Sequence, residues 1–180
     1  MTERERAMLG QEGPDFYAQA LLAAGRFTSE EAARRTIVKA EEMVWEDSPQ
    51  GRIKHMVNAG MNTREHCLDI YQQYLEPGGH SGMHRHFSEE VLYIVEGEGY
   101  DLHWDVVFDC KDEYEWGWAD EPKRFTWKTG DFVYIPPFVN HQHFATGASG
   151  ARVISMTNRI VRLMGFDGLA QLANASCYHP

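Results

Sequence analysis

The stretch Gly78-Gly79-His80-Ser81-Gly82-Met83-His84-Arg85-His86-Phe87-Ser88-Glu89-Glu90 gathers three histidines and two carboxylates within thirteen residues. In an extended chain successive side chains alternate between faces, so His84 and His86 point the same way and Arg85 points the other. Both imidazoles can then reach one ion. Glu90 lies four residues beyond His86 and joins them only if the chain turns at Phe87-Ser88-Glu89 and enters a new strand, for which the apolar run VLYIV (91–95) is suited.

Downstream, GDFVYIPPFVNH (130–141) reads as a strand, a Pro136-Pro137 turn and a histidine opening another strand. His141 is the natural fourth ligand. A single histidine in a strand is more often a hydrogen-bonded, partly buried residue than a ligand, and one His-x-His pair leaves the two readings balanced. Several imidazoles and a carboxylate turned into an apolar interior are costly without partners, so a metal becomes the simplest explanation when all four converge.

Eight runs rich in β-branched and aromatic residues surround these positions: RIKHMV, HCLDIYQQYLE, VLYIVEG, GYDLHWDVVF, RFTWK, DFVYIP, HQHFAT and ARVISMT. Gly, Pro and Asp separate them, and no helical segments lie between, which predicts an all-β sandwich or barrel over residues 51–158. Residues 110–124, CKDEYEWGWADEPKR, interrupt the rhythm as a hairpin extension or a lid. Residues 1–50 read as a helical extension. Pro14 opens and Gly25 closes a first helix, and Thr28 to Glu31 form a capping box for a second helix that runs to about Glu42. Residues 159–180 read as a tail in which Asp167 caps a short helix over GLAQLANA, packed on the barrel or on a dimer partner.

The spacing G-x5-H-x-H-x3-E-x6-G, met at Gly78, His84, His86, Glu90 and Gly97, resembles the first motif of the cupin superfamily. The second motif, G-x5-P-x-G-x2-H-x3-N, is met at Gly130, Pro136 and His141, with Phe138 and Ala145 in place of its second glycine and its asparagine. The resemblance implies a single jelly-roll barrel holding one divalent ion by His84, His86, Glu90 and His141. Three imidazoles and a carboxylate without thiolate suit Fe(II), Mn, Ni, Co or Zn; family usage favours Fe(II). HRH followed by LYIVEGEG is also similar to gentisate-type ring-cleaving dioxygenases, which are two-barrel cupins with three histidines and no glutamate.

The expected activity is therefore that of a mononuclear iron dioxygenase acting on a small aromatic or enol-bearing substrate bound to the metal. Four protein ligands in an octahedron leave two positions, and a bidentate substrate together with dioxygen would require Glu90 to let go, which makes Glu90 a catalytic candidate as well as a ligand. The alternative is a lyase or isomerase that uses the ion as Lewis acid and Tyr93 or Tyr134 as base. A non-catalytic binding module is the third reading. Trp104, Phe132 and His143 are candidate pocket residues, with Tyr71, Tyr93, Phe125, Trp127 and Tyr134 as further aromatic wall candidates from the strands; Arg52 is another, which could meet an anionic substrate. His80 and Glu89 fall off the motif spacing and are assigned to loop and surface.

The 180 residues fit one ordinary domain, and their formal net charge of -10 argues against nucleic acid and anionic membranes as partners. No apolar run approaches the roughly 20 residues of a membrane span, and the first residues lack a secretory signal, so a cytoplasmic homodimer acting on a small molecule is expected. Cys67, Cys110 and Cys177 show no CxxC spacing; Cys67 is expected in the core.

Overall fold

The computed structural model describes residues 2–3, 16–64, 67–110, 112–166 and 168–179. It divides into two compact units, residues 1–35 and 36–180. The described part of the first unit holds the helix α1 (Phe16–Ala33). The expected break at Gly25 does not occur: one glycine among helix-favouring alanines costs only about 1 kcal/mol relative to Ala, and α1 runs through it. Thr28 accordingly lies inside the helix rather than at its cap, and Pro14 lies outside the described residues. The stretch expected to stay helical to about Glu42 instead ends at Ala33, with a single 3-10 turn at Ala40–Glu42 in the second unit. Among the described residues no helix is long and apolar enough to cross a membrane.

The second unit is built from antiparallel strands: β1 (Trp45–Ser48), β2 (Gly51–Val57), β3 (Leu68–Leu75), β4 (Met83–Arg85), β5 (Glu90–Glu96), β6 (Glu98–Trp104), β7 (Val106–Cys110), β8 (Tyr114–Trp118), β9 (Lys123–Lys128), β10 (Phe132–Ile135), β11 (Asn140–Ala145), β12 (Ala151–Asn158) and β13 (Ala170–Ala173). One sheet has the order β1-β2-β3-β12-β5-β10 and the other β13-β4-β11-β6-β9, while β7 and β8 pair only with each other. This is a cupin barrel of the jelly-roll type. All eight runs read as strands from the sequence are strands, and residues 110–124 form most of the β7–β8 hairpin rather than an unpaired loop.

The alternation of faces sorts the interior. On β5, Glu90, Leu92 and Ile94 are buried, and on β12, Ala151, Val153, Ser155 and Thr157 are buried. The register pairs Ile94 with Val153 and Glu90 with Thr157, so this sheet grades from an apolar end to a polar one. Leu92, Ile94, Ile135 and Val153 are fully enclosed at the apolar end, and each such side chain contributes about 1.5–3 kcal/mol. The facing sheet is polar inside: His141 on β11 pairs with His84 on β4 and with His103 on β6, and His143 pairs with Asp101.

The tail differs from expectation. Residues Ala170–Ala173, within the stretch expected to be helical, form β13 along the free side of β4, and Gln171 lies opposite His84. The short helix, α2 (Ile160–Leu163), falls earlier instead. Pairing with the unsatisfied backbone of β4 overrides a weak local helix preference; Asp167 lies outside the described residues. Cys67 is half-buried rather than in the core.

The two glycines bounding the first motif have different physical roles. Gly78 has φ +69° with open space where a Cβ would go, whereas Gly97 has φ +97° and a Cβ there would lie 2.4 Å from the Gly150 carbonyl oxygen. Urea unfolding is therefore expected to show a loss of about 1–2 kcal/mol for Gly78→Ala, from the left-handed backbone alone. For Gly97→Ala, overpacking raises the loss to about 2–5 kcal/mol. Equal losses would refute the close approach at Gly97.

Candidate metal centre

His84 sits on β4, His86 just beyond it, Glu90 at the start of β5 and His141 on β11, and all four are buried. One donor atom from each lies within 4.8 Å of the others. The β4–β11 pairing sets His84 beside His141, with ring centroids 4.1 Å apart. A turn at Phe87-Ser88-Glu89 brings Glu90 back, so that its Oε2 lies 2.8 Å from His86 Nε2 and 3.4 Å from His141 Nε2.

The far side of each ring is tied to the backbone. His86 Nδ1 lies 2.8 Å from the Ser88 carbonyl, His141 Nδ1 2.9 Å from that of Val139, and His84 Nδ1 3.3 Å from that of Gly82. A carbonyl oxygen can only accept, so each Nδ1 carries the proton and each Nε2 turns a lone pair inward. His141 Nε2 is buried with no hydrogen-bond partner. Three lone pairs and a carboxylate oxygen facing one another repel unless a cation lies between them.

Burial favours the neutral, lone-pair form of His84 and His141. Burial, reinforced by His141, holds the His84 pKa well below its ordinary value, and burial lowers that of His141 despite the pull of Glu90. Burial also disfavours a charged His86, but its contact with Glu90 outweighs this and raises its pKa. Burial alone would raise the Glu90 pKa, yet His141 and His86 hold it well below the usual carboxylate range. Two donors each about 2.1 Å from one ion are about 3.0 Å apart at a right angle, which the 2.8 and 3.4 Å contacts match. A single divalent ion fits these residues.

Surrounding groups fix the ligands. Ser155, beside the Tyr71 hydroxyl, donates to Glu90 Oε1, leaving Oε2 for the cluster. Phe138, standing where the cupin motif has glycine, adopts φ 66°, a left-handed backbone costing about 1–2 kcal/mol. Its N–H donates to the His86 carbonyl at 2.9 Å, and its carbonyl accepts from the Trp118 indole at 2.8 Å. Its ring packs against Phe87, Trp116 and Trp118. The hairpin thus clamps the Phe138 turn that leads to His141 and ties it to the backbone of His86.

Beside the cluster, Asp101 accepts from Trp127 Nε1 at 2.7 Å and contacts His143 Nδ1 at 2.9 Å and His103 Nε2 at 3.4 Å. Burial would raise the Asp101 pKa, but His143, His103 and Trp127 hold it far below the ordinary value. His143 is therefore a fully buried partner of Asp101.

A cavity of about 150 Å³ reaches His84, His86 and Glu90 and is also lined by Gln50, His55, Asp69, Tyr71 and Arg159. Trp104, Phe132, Tyr93 and Tyr134 are not among its lining residues. Their strands turn His103, Val133, Leu92 and Ile135 inward, so these four aromatics face outward; Phe132 is 67% exposed and Tyr134 donates to Glu89. Arg52 also faces outward and pairs with Asp47 at 2.9 Å. The residues absent from the sequence reading, His55, Asp69 and Arg159, share parity with Ile53, Tyr71 and Thr157. Extending each strand's alternation toward the ligand end would have found them.

Residues 47–162 match the JmjC domain family. The chain belongs to the JmjC domain family. Over 74 residues this JmjC-domain chain is 34% identical to an acireductone dioxygenase of Puccinia graminis f. sp. tritici, a match covering 41% of the chain and 34% of that protein. It thus spans about a third of the length of the curated relative it matches. Oxalate decarboxylase from Bacillus subtilis superposes with a TM-score of 0.57 at 16% identity, covering 77% of this chain and 32% of that one. An RmlC-like cupin from Shewanella frigidimarina gives 0.49 at 18% identity, covering 72% and 96%. The likeness to oxalate decarboxylase shows the cupin fold of this JmjC-domain protein.

Elemental analysis after equilibration with Co(II) is expected to find one ion per chain in the wild type and none retained by Glu90→Ala or His141→Ala. Trp118→Phe, which removes the indole donor from the clamp, is expected to weaken metal binding about 10-fold. Unchanged stoichiometry in all three variants would eliminate the site. A second expectation concerns Asp101. Because its folded pKa is depressed, its contribution to stability is present above the unfolded value of about 3.9 and lost as pH falls below it. Asp101→Asn should cost about 3–5 kcal/mol near neutrality, and urea unfolding should show the gap to wild type closing as the solution is acidified. A gap independent of pH would contradict the charge assignment.

Proposed function

We propose that this chain is a mononuclear metal-dependent cupin oxidoreductase, a dioxygenase that holds a small enol-bearing substrate at an Fe(II) site made by His84, His86, Glu90 and His141. The observation that carries this reading is the convergence of three Nε2 lone pairs and one carboxylate oxygen beside a small cavity. The similarity to a protein named acireductone dioxygenase supports the same reaction class. When bound, Fe(II) supplies Lewis acidity and the redox chemistry that dioxygen requires.

The chain's own residues divide the remaining work. The imidazoles are oriented by their carbonyl partners, and Ser155 holds Glu90 from behind, so the donor set is preorganised. Ile53 and Leu169 give the cavity apolar lining. At about 150 Å³ the cavity has the share of liquid volume taken by about five waters, which limits the substrate to a small molecule.

Tyr71 supports a second reading, a lyase or isomerase. Burial, followed by the charge of Glu90, pushes its phenol far above the ordinary range. It keeps its proton at neutral pH and acts as a donor rather than a base. Tyr93 and Tyr134 do not line the cavity.

Oxygen-electrode recordings on Fe(II)-loaded protein incubated anaerobically with enol-bearing compounds are expected to show uptake on admitting air, with product in proportion to oxygen. Tyr71→Phe should retain oxygen uptake. Equal turnover without oxygen would overturn the dioxygenase reading, and abolition of that turnover by Tyr71→Phe would favour the lyase or isomerase.

A further inference from the structure

The cavity beside the metal cluster has a second polar end. Thr157 on β12 lies in register with Glu90 on β5 and with Asp69 on β3. Neighbouring strands are about 4.8 Å apart, which sets Asp69 about 10 Å across the sheet from Glu90. Arg159 follows Thr157 with the same parity and lines the cavity with Asp69. The two form an ion pair, Arg159 Nε to Asp69 Oδ2 at 3.2 Å, with Arg159 only 25% and Asp69 15% exposed.

This pair is not saturated. Despite that contact, Arg159 Nε has no aligned hydrogen bond, and Asp69 Oδ1, 3.9 Å from His55 Nδ1, accepts none either. Among the described residues, the Arg159 side chain makes no hydrogen bond, so its guanidinium has donors to spare. Arg159 lines the same cavity as Tyr71 and His86, which sets it near the cluster. Gln50 adds an unpartnered Oε1, while its Nε2 lies 3.5 Å from His84 Nε2. An apolar ligand would leave these buried groups unpaired, at a cost of about 1–3 kcal/mol each. A ligand with both donor and acceptor oxygens would satisfy them.

Charge narrows the class further. A divalent ion and Arg159 together carry three positive charges against the two negative charges of Glu90 and Asp69, leaving one positive charge. The planar guanidinium suits a carboxylate or enolate oxygen pair. We propose that Arg159 anchors the substrate, and that the substrate is a small monoanionic hydroxy-carbonyl or hydroxy-acid compound of about five to eight non-hydrogen atoms. Its anionic oxygen lies on Arg159, its hydroxyl meets Asp69 or Gln50, and its remaining oxygen faces His84, His86, Glu90 and His141.

The inference rests on the reading of this cluster as a metal centre, and the test separates the two. Zn(II)-loaded protein, which is redox-inert, is titrated calorimetrically with glycolate, with the neutral analogue glycolamide and with the bulky 3-phenyllactate, while zinc stoichiometry is measured on the same samples. Glycolate is expected to bind at least 10-fold more tightly than either analogue. Arg159→Gln should retain one zinc per chain and lose at least 10-fold in glycolate affinity, removing the preference over glycolamide. Arg52→Gln, at a surface arginine off the cavity, should change neither. Arg159→Lys keeps the charge facing Asp69 but not the planar fork; it carries the same test if the glutamine variant fails to fold, with a loss of at least 3-fold expected. Zinc bound normally with glycolate affinity unchanged in these Arg159 variants would overturn the anchor alone, as would equal binding of 3-phenyllactate. Absence of zinc from the wild type would overturn the metal reading with it.

Discussion

Three imidazoles turn their Nε2 atoms to one point because three backbone carbonyls hold their Nδ1 protons. Each carbonyl lies two residues from its histidine: Gly82 for His84, Ser88 for His86 and Val139 for His141. The tautomer and tilt of each ring are thus set by the local chain path at a strand end. Everything else in the barrel keeps those ends in place. β4 is only three residues long, and it holds its line because β11 pairs with it on one side and β13 on the other.

A barrel with this much buried polarity needs compensation. Leu92, Ile94, Ile135 and Val153 supply it at the apolar end. At the other end many of the polar groups are linked in chains: Ser155 to Glu90, and Trp127 to Asp101 to His143. Half-satisfied networks of this kind cost more than an apolar core, so the few buried atoms left without partners stand out. They are concentrated at the metal cluster and around its cavity, where a ligand would complete them. The strained backbone of Phe138 belongs to the same economy of structure, since the aromatic packing of the β7–β8 hairpin holds it while its N–H fixes the His86 loop.

Much of this was legible in the sequence. Alternation set His84 and His86 on one face, motif spacing added Glu90 and His141, and eight β-rich runs gave the barrel. The cavity was less legible for two physical reasons. Of the aromatic wall candidates Tyr71 lines the cavity, whereas Tyr93, Trp104, Phe132 and Tyr134 do not; size and aromatic character carry no direction, while parity with inward-facing Glu90 turns Tyr93 outward. Arg159 lies one residue past the end of β12, and only the pairing of β12 with β3 shows that it meets Asp69. The strands β4 and β13 were hidden for a related reason: a three-residue strand has too little alternation to be seen, and the helix-like GLAQLANA segment becomes a strand only through the edge it covers.

The central claim is that one divalent ion is held by three imidazole nitrogens and one carboxylate oxygen inside the barrel. X-ray absorption at the iron edge of protein loaded with one equivalent of Fe(II) tests it most directly. The account predicts a coordination shell of nitrogen and oxygen only, with the outer-shell scattering of three imidazoles, falling to two in His141→Ala. A sulfur scatterer, or an imidazole count unchanged by that substitution, would contradict it.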